Sequence, residues 1–381
     1  MRKVFSQALL IALMLIIGNN YCFAQDVNEL LANLKKEIAH DGRTSIWDIN
    51  AQDVNGTWNV TGKVDNNITK HAIINMLDEN KIKYSDSINV LEYKADKAWG
   101  LVMLSIASLR TQGRHAAEMA TQAIMGTPVK ILEEDDDWVR VQLPDNYIAY
   151  IPDNSIIRIS QLDFDKWRKA KRYIVTAYQS QLVEDPNSDM TVSDLVMGNI
   201  LTYKGEKDGM IELSTPDGRC GFVSSKDVAE FSSWAEQSFD NKRIEKTARR
   251  MMGSGYLWGG TSTKITDCSG LAKVSYFSNG IILQRDASQQ ALTGQKISPT
   301  NWKEAQLGDL LFFGSKSGKV THVGIYLKDG QYIHCSGRVK INSVDPDAKD
   351  YLTTPFLSIS RIAGKVGSKG ITAVKNHIWY F

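Results

Sequence analysis

The amino-acid sequence predicts an α+β multidomain protein. A small α/β unit stands at the N-terminus, two small β-barrels follow, and an α+β unit carrying the chemistry closes the chain. Three observations support that class. Length comes first, because 381 residues exceed what one hydrophobic core encloses. The hydrophobic texture then changes along the chain, from helical spacing to short strands between turn signals and back to a mixture. Last, Cys268 opens a helical pattern and is followed by a strand pair bearing His322 and His334.

Composition removes several function classes. With 43% hydrophobic and 23% charged residues, the chain is neither a disordered tail nor a bundle of spanning helices. Lys and Arg number 45 against 43 Asp and Glu, a net charge of +2, which is not the cationic surplus of a dedicated nucleic-acid binder. Four cysteines are too few for a disulfide miniprotein of this length.

Residues 1–24 have the layout of a secretory signal peptide: Arg2 and Lys3, an apolar run over 8–17, then Cys22 and Ala24 at the −3 and −1 positions. The run is too short to span a bilayer. Asn20-Tyr21 before Cys22 lacks the small residues of a bacterial lipoprotein box. The expectation is an exported chain, periplasmic or secreted, with no stable membrane insertion after cleavage. Cleavage removes both surplus charges and leaves Cys220, Cys268 and Cys335, an odd number that predicts at least one unpaired thiol.

Residues 25–97 form the first expected unit. Val27, Leu30, Leu31, Leu34 and Ile38 lie at helical spacing. Strand-like runs follow near 44–50 and 57–64 around an Asn55-Gly56 turn, then a helix near 69–79 and a strand near 88–93. This α-β-β-α-β order, with Gly62, resembles the small BON-type domain of exported bacterial proteins and shows no catalytic constellation.

Over 98–160 the pattern shortens to strands and turns, including Gly126-Thr127-Pro128-Val129, Trp138-Val139-Arg140-Val141 and Tyr147-Ile148-Ala149-Tyr150-Ile151, which predicts a small β-barrel. These residues resemble a bacterial SH3 domain, with Ala149-Tyr150 in place of the usual Gly-Trp. A divergent second copy is expected within 161–231, on Gly198, Gly209-Met210-Ile211-Glu212-Leu213 and Asp217-Gly218-Arg219-Cys220-Gly221-Phe222-Val223. The basic stretch 166–172 between the copies reads as a solvated linker.

The last unit, 232–381, opens with a helix expected to run to Met252, whose Lys242, Lys246, Arg249 and Arg250 mark a wet face. Residues 253–260 are glycine-rich but lack the Gly-Lys-Ser/Thr ending of a phosphate loop. Thr266-Asp267-Cys268-Ser269-Gly270 then places a cysteine in the first turn of a helix. Unpaired N–H groups there favour a thiolate and can receive an oxyanion.

His322 falls on a strand that alternates Val323, Ile325 and Leu327 with His322, Gly324 and Tyr326, and His334 falls on the returning strand after Asp329-Gly330. A two-residue loop would place the imidazoles on opposite faces; a three-residue Lys328-Asp329-Gly330 loop places both on one face. The bulged turn is therefore predicted, with Cys268 as nucleophile, His322 as its base and His334 fixing the tautomer of His322. One thiolate and two imidazoles would also suit zinc, but no Cys-x-x-Cys or His-x3-His spacing supports a metal site. Cys335 is expected in the core, and Cys220 in a structural role.

The segments Asp267-Cys268-Ser269-Gly270, Gly308-Asp309-Leu310-Leu311-Phe312-Phe313, His322-Val323-Gly324-Ile325-Tyr326 and Tyr332-Ile333-His334 together resemble the NlpC/P60 family of cysteine peptidases. That resemblance implies a papain-like α+β core and hydrolysis of cell-wall peptides. Two SH3-like units before the peptidase resemble the γ-D-glutamyl-L-diamino-acid endopeptidases of murein peptide recycling, which act on peptides with a free N-terminal L-alanine. By that resemblance Glu118 and Tyr147 of the first barrel border the site, and Glu118 with Asp267 would bind the alanine ammonium. Ser269 and the Arg285-Asp286-Ala287 turn match positions that hold the D-glutamyl part. Ala287 stands where the family often has Ser, so its contact would come from backbone N–H. Asp286 would equally cap a helix near Ser288. Trp258 would wall the alanine pocket or lie in the core.

The expected activity is hydrolysis of the γ-D-glutamyl–L-diamino-acid bond of murein peptides, releasing L-Ala-γ-D-Glu without a cofactor. The alternatives are hydrolysis of intact peptidoglycan stems and a non-catalytic wall-binding scaffold. The aromatic tail from Ile371 to Phe381 has no role in this reading.

Overall fold

The computed structural model describes residues 26–91 and 96–381. The signal-peptide segment 1–24 and the end of the strand expected near 88–93 lie outside the described residues. By its contacts the chain divides after Leu91.

In the N-terminal unit, α1 (Val27–Ile38), β1 (Trp47–Val54), β2 (Thr57–Val64), α2 (Asn67–Glu79) and β3 (Tyr84–Val90) follow the expected order. The hairpin turns at Asn55-Gly56, both at positive φ, and α2 carries the chain across to a parallel β2–β3 pairing. Asp26 and Asn66 cap the two helices with their side chains. Val27, Leu31, Val60, Val64, Ile73, Leu77 and Ile88 close the core. The last strand starts earlier than hydropathy suggests, because Ser85, Asp86 and Ser87 form its exposed part.

The first barrel contains β4 (Trp99–Val102), β5 (Ile106–Arg110), β6 (Met119–Ile124), β7 (Pro128–Asp135), β8 (Trp138–Gln142), β9 (Ile148–Pro152) and β10 (Ile156–Ile159). After α3 (Gln161–Lys169) the second contains β11 (Arg172–Val175), β12 (Gln179–Val183), β13 (Thr191–Val196), β14 (Ile200–Lys207), β15 (Met210–Ser214), β16 (Cys220–Ser224) and β17 (Val228–Glu230). Each sheet supplies apolar residues from all of its strands to one core, so each curls around its own interior. Strand order is β10-β4-β7-β8-β9-β5-β6 in the first and, read from the other edge, β17-β11-β14-β15-β16-β12-β13 in the second. That is the same permutation twice, so the second barrel is a structural repeat of the first.

Three sequence expectations change here. The basic stretch 166–172 is no solvated linker: Trp167 and Arg172 are buried. Arg168 and Arg172 donate to the carbonyls of Ile378, Tyr380 and Phe381, at 2.7–2.9 Å, so the aromatic C-terminal tail is fastened to α3 and the second barrel. Tyr380 and Val374 join Phe164, Trp167, Phe231 and Trp234 in an apolar cluster shared by both barrels and the last unit. The helix expected up to Met252 is two, α4 (Phe231–Ala235) and α5 (Asn241–Arg250), because Asp240 caps a new start. Cys220, expected to be structural, is exposed.

The last unit continues with α6 (Cys268–Phe277), β18 (Ile281–Leu283), α7 (Ala287–Gln290), β19 (Gln295–Ile297), β20 (Leu310–Gly314), β21 (Val320–Tyr326), β22 (Gln331–Ser336), β23 (Arg338–Ser343), β24 (Phe356–Arg361) and β25 (Ile371–Ala373). Its six-stranded sheet has the order β19-β24-β20-β21-β22-β23. Leu271, Ala272 and Val274 of α6 pack on Val323, Ile325, Ile333 and Cys335, and this burial holds the start of α6 against β21.

Candidate active site

Asp267 is the N-cap of α6. Its Oδ1 accepts from the Gly270 N–H at 2.7 Å and its Oδ2 from the Gly259 N–H at 2.9 Å. The helix must approach the glycine-rich loop closely for this: a Cβ at Gly270 would lie 2.0 Å from the Gly260 carbonyl oxygen. Arg285, only 1% exposed, donates to Asp267 Oδ2 at 2.6 Å, to Ser269 Oγ at 2.9 Å and to Thr121 Oγ1 on β6 at 2.9 Å. Asp267 thus has both oxygens occupied, and Arg285 ties it to the first barrel.

Cys268 follows the cap, 8% exposed, and its sulfur receives the backbone N–H groups of Val323 and Ser269. Its place at the helix start predicts a lowered thiol pKa, but burial outweighs that effect. Burial, helped by the Asp267 carboxylate, pushes the thiol up to about 11, against the opposing pull of the two N–H groups and Arg285. The resting thiol is therefore neutral.

The β21–β22 hairpin carries the two imidazoles. Its loop is Lys328-Asp329-Gly330, with Leu327 and Gln331 bonded across it and positive φ at Asp329 and Gly330. Both imidazoles lie on one face, with His322 Nε2 2.7 Å from His334 Nδ1. Val323, bonded to the sulfur, is the neighbour of His322, whose Nδ1 is the ring nitrogen not turned to His334. Burial, then the neighbouring His334, brings His322 down to about 4, and Lys340 adds to this while Asp267 opposes it. Beyond His334, its Nε2 lies 2.9 Å from Asn342 Oδ1. Asn342 was not anticipated, although β23 parity would have shown it as the polar neighbour diagonal to His334. Tyr256 was also missed; its phenol is held far above the usual range by burial and by the nearby Cys268 and Asp267.

Gly324 stands opposite His334 in the hairpin. A Cβ there would lie 2.5 Å from the Tyr332 ring and 3.3 Å from His334 Cβ. Gly324→Ala is expected to destabilise the chain by ~1–3 kcal/mol through overpacking and to lower kcat by displacing His334. Urea unfolding and steady-state kinetics check both; unchanged values would mean that the ring has room to move.

The other predicted site residues come from the first barrel and from residues 253–361. Tyr147, buried in the first barrel, donates to Asp286 Oδ2 at 3.2 Å. Asp286 also caps α7 in a capping box with Gln289, and Ala287 is buried in its first turn. Gln122 Oε1 accepts from the Thr261 N–H at 2.8 Å, and a side chain at Gly259 would meet the Met119 carbonyl at 2.7 Å. Glu118, next to Met119, is exposed at this junction. Trp258 is 58% exposed, so it is not a core residue.

A helix-borne cysteine, an imidazole pair and a bordering β-barrel can now be set beside known proteins. Residues 253–361 match the NlpC/P60 family, and residues 109–156 match the bacterial dipeptidyl-peptidase SH3 domain. The chain carries an NlpC/P60 domain and a bacterial SH3 domain. It is 29% identical to dipeptidyl-peptidase 6 of Lysinibacillus sphaericus over 64% of this chain and 91% of that protein. It is 28% identical to the gamma-D-glutamyl-L-lysine dipeptidyl-peptidase of Bacillus subtilis, over 56% of this chain and 71% of that one. The crystal structure of an NlpC/P60 family protein from Bacillus cereus superposes with a TM-score of 0.60 at 21% identity, covering 69% of this chain and 99% of that one. The fold is thus shared with that protein over most of this chain. Among the described residues, no helix is long and apolar enough to cross a membrane.

Proposed function

We propose that this chain is a cysteine endopeptidase that hydrolyses the γ-D-glutamyl–L-diamino-acid bond of murein peptides bearing a free N-terminal L-alanine. The observation that supports this reading is the closure of the Cys268 site by the first barrel, through Thr121–Arg285–Asp267 and Tyr147–Asp286. A site bordered in this way suits a short peptide end better than a glycan-linked stem. Glu118 is the carboxylate with capacity for the terminal ammonium, since both oxygens of Asp267 are occupied. Tyr147, Ser269, Asp286 and Ala287 border the D-glutamyl position, and Trp258 covers the alanine.

The chemistry follows from the protonation states. His322 Nδ1 takes the Cys268 proton as sulfur attacks the γ-amide carbonyl, forming the C–S bond. The Cys268 N–H, the donor in the first turn of α6 that neither the Asp267 cap nor the sulfur takes, receives the oxyanion. Imidazolium then protonates the departing diamino-acid amine as the C–N bond breaks. Water, deprotonated by the same nitrogen, hydrolyses the thioester and restores the thiol.

The test is incubation with L-Ala-γ-D-Glu-diamino-acid peptide, free and N-acetylated, followed by mass spectrometry. The free peptide is expected to release L-Ala-γ-D-Glu. Acetylation, or Glu118→Gln with the free peptide, should cost roughly 10–100-fold in kcat/KM, the worth of a charge-assisted hydrogen bond. Equal cleavage of both peptides would favour intact stems as substrate. No cleavage of either, with Cys268→Ala indistinguishable from wild type, would favour a scaffold.

A further inference from the structure

The imidazole pair is extended by a side chain that the mechanism above does not use. Asn342 Nδ2 donates to the Asp350 carbonyl at 2.7 Å, while its Oδ1 faces His334 Nε2 at 2.9 Å. A backbone carbonyl only accepts, so the amide is oriented with its NH2 toward Asp350 and its oxygen toward His334. That oxygen also only accepts, so His334 carries its proton on Nε2 and a lone pair on Nδ1. His322 Nε2 stands 2.7 Å from that lone pair. Two lone pairs do not meet at such a distance, so His322 is protonated on Nε2 and holds its own lone pair on Nδ1. The one fixed acceptor at Asp350 therefore determines the tautomer of both rings in turn.

The reverse arrangement is equally good for the histidines alone. His334 Nδ1–H would then donate to His322 Nε2, and His322 would carry its proton on Nδ1. That form has no base toward the thiol. Only the Asn342 end of the chain distinguishes the two. Both rings are largely neutral, since burial lowers each, so tautomer and not charge decides whether a base is present. The charged groups that act on the pair are Lys340 on β23 and Asp267 at the start of α6. His334 also packs on Tyr332, at 4.9 Å between ring centres.

We propose that Asn342, anchored by the Asp350 carbonyl, is a positioning residue that selects the active tautomer of His322 through His334. This rests on the reading of Cys268 and His322 as nucleophile and base, and the test separates the two. In the full chain carrying Cys220→Ser, which removes the exposed thiol among the described residues, three forms are compared: Asn342, Asn342→Leu and Asn342→Asp. Long-range 1H–15N spectra report which ring nitrogens bear protons, and the alkylation rate of Cys268 by iodoacetamide reports the base; neither needs a substrate. The wild-type side chain is expected to show His322 protonated at Nε2. Asn342→Leu should mix the tautomers, slow alkylation and lower kcat roughly 10–100-fold with KM within about twofold, the usual cost of losing an orienting partner. Asn342→Asp keeps an acceptor, so kcat at pH 8 should stay within about threefold. Its negative charge should raise the acid limb of the kcat profile by about one unit or more, a shift that a merely structural asparagine would not give. A wild-type spectrum with His322 protonated at Nδ1 would overturn the proposal, as would an Asn342→Asp variant no more active than Asn342→Leu. If peptides are not hydrolysed at all, the spectra and alkylation rates still decide the tautomer, and the peptidase reading alone fails.

Discussion

Cys268→Ala is expected to lower kcat at least ~10⁴-fold while leaving peptide binding within a few-fold, because the nucleophile is lost but the α6 N–H groups and the barrel wall remain. His322→Ala should cost about as much, since nucleophile and base act as one unit. The pH profile gives a second readout. Burial lifts the thiol to about 11 and lowers His322 to about 4, so the resting pair is neutral on both sides. The proposed mechanism needs His322 unprotonated, and burial disfavours its protonated form. The acid limb of kcat/KM should therefore lie near 4, well below the ~6.5 of a free imidazole. Lys340 contributes to that lowering, so Lys340→Met should move the limb upward. An acid limb near 6.5 in the wild type would show that His322 is more hydrated than the fold indicates.

How far the sequence carries such an argument differs between elements. The hairpin was legible because parity is strict: three loop residues place His322 and His334 on one face, two do not, and the side chains at Val323, Ile325, Ile333 and Cys335 oriented the other face to the core. The barrel repeat was legible through its turn glycines. The thiol was not, because burial is a tertiary quantity, and it reverses what the helix end alone predicts. The surroundings of Asp267 were illegible for a related reason. The family resemblance offers it, with Glu118, to a substrate ammonium, whereas Arg285, eighteen residues on, meets it only in the folded core. The stretch 166–172 shows the same limit. Its charge suggested solvent, but its arginines and Trp167 are fixed by a tail from the far end of the chain. In each case the missing information is a long-range partner, which local pattern does not encode.

Arg285 is where that long-range dependence is most severe. Arg285→Met is expected to destabilise the unit containing the barrels and the NlpC/P60 domain by ~3–5 kcal/mol, because it leaves the Asp267 carboxylate buried without its counter-charge. Both side chains are almost wholly enclosed, at 1% and 6% exposure, so water cannot take over the role. Thr121 Oγ1 and Ser269 Oγ lose their donor as well. Removing both charges in Arg285→Met with Asp267→Asn should recover part of the loss, since an amide can still accept the Gly270 N–H that starts α6. Urea unfolding of the three variants, followed by tryptophan fluorescence, measures this. Full additivity of the two single changes would mean that the ion pair is not the coupling element. Thr121→Val separates stability from function: it removes one hydrogen bond to Arg285, at ~1–3 kcal/mol, from the barrel side only. If the first barrel does no more than hold the domain in place, that variant should lose stability and keep its discrimination against N-acetylated peptide. If the barrel builds the substrate end of the site, discrimination falls with it, because the Thr121–Arg285–Asp267 line fixes both the wall and the cap of the nucleophile's helix.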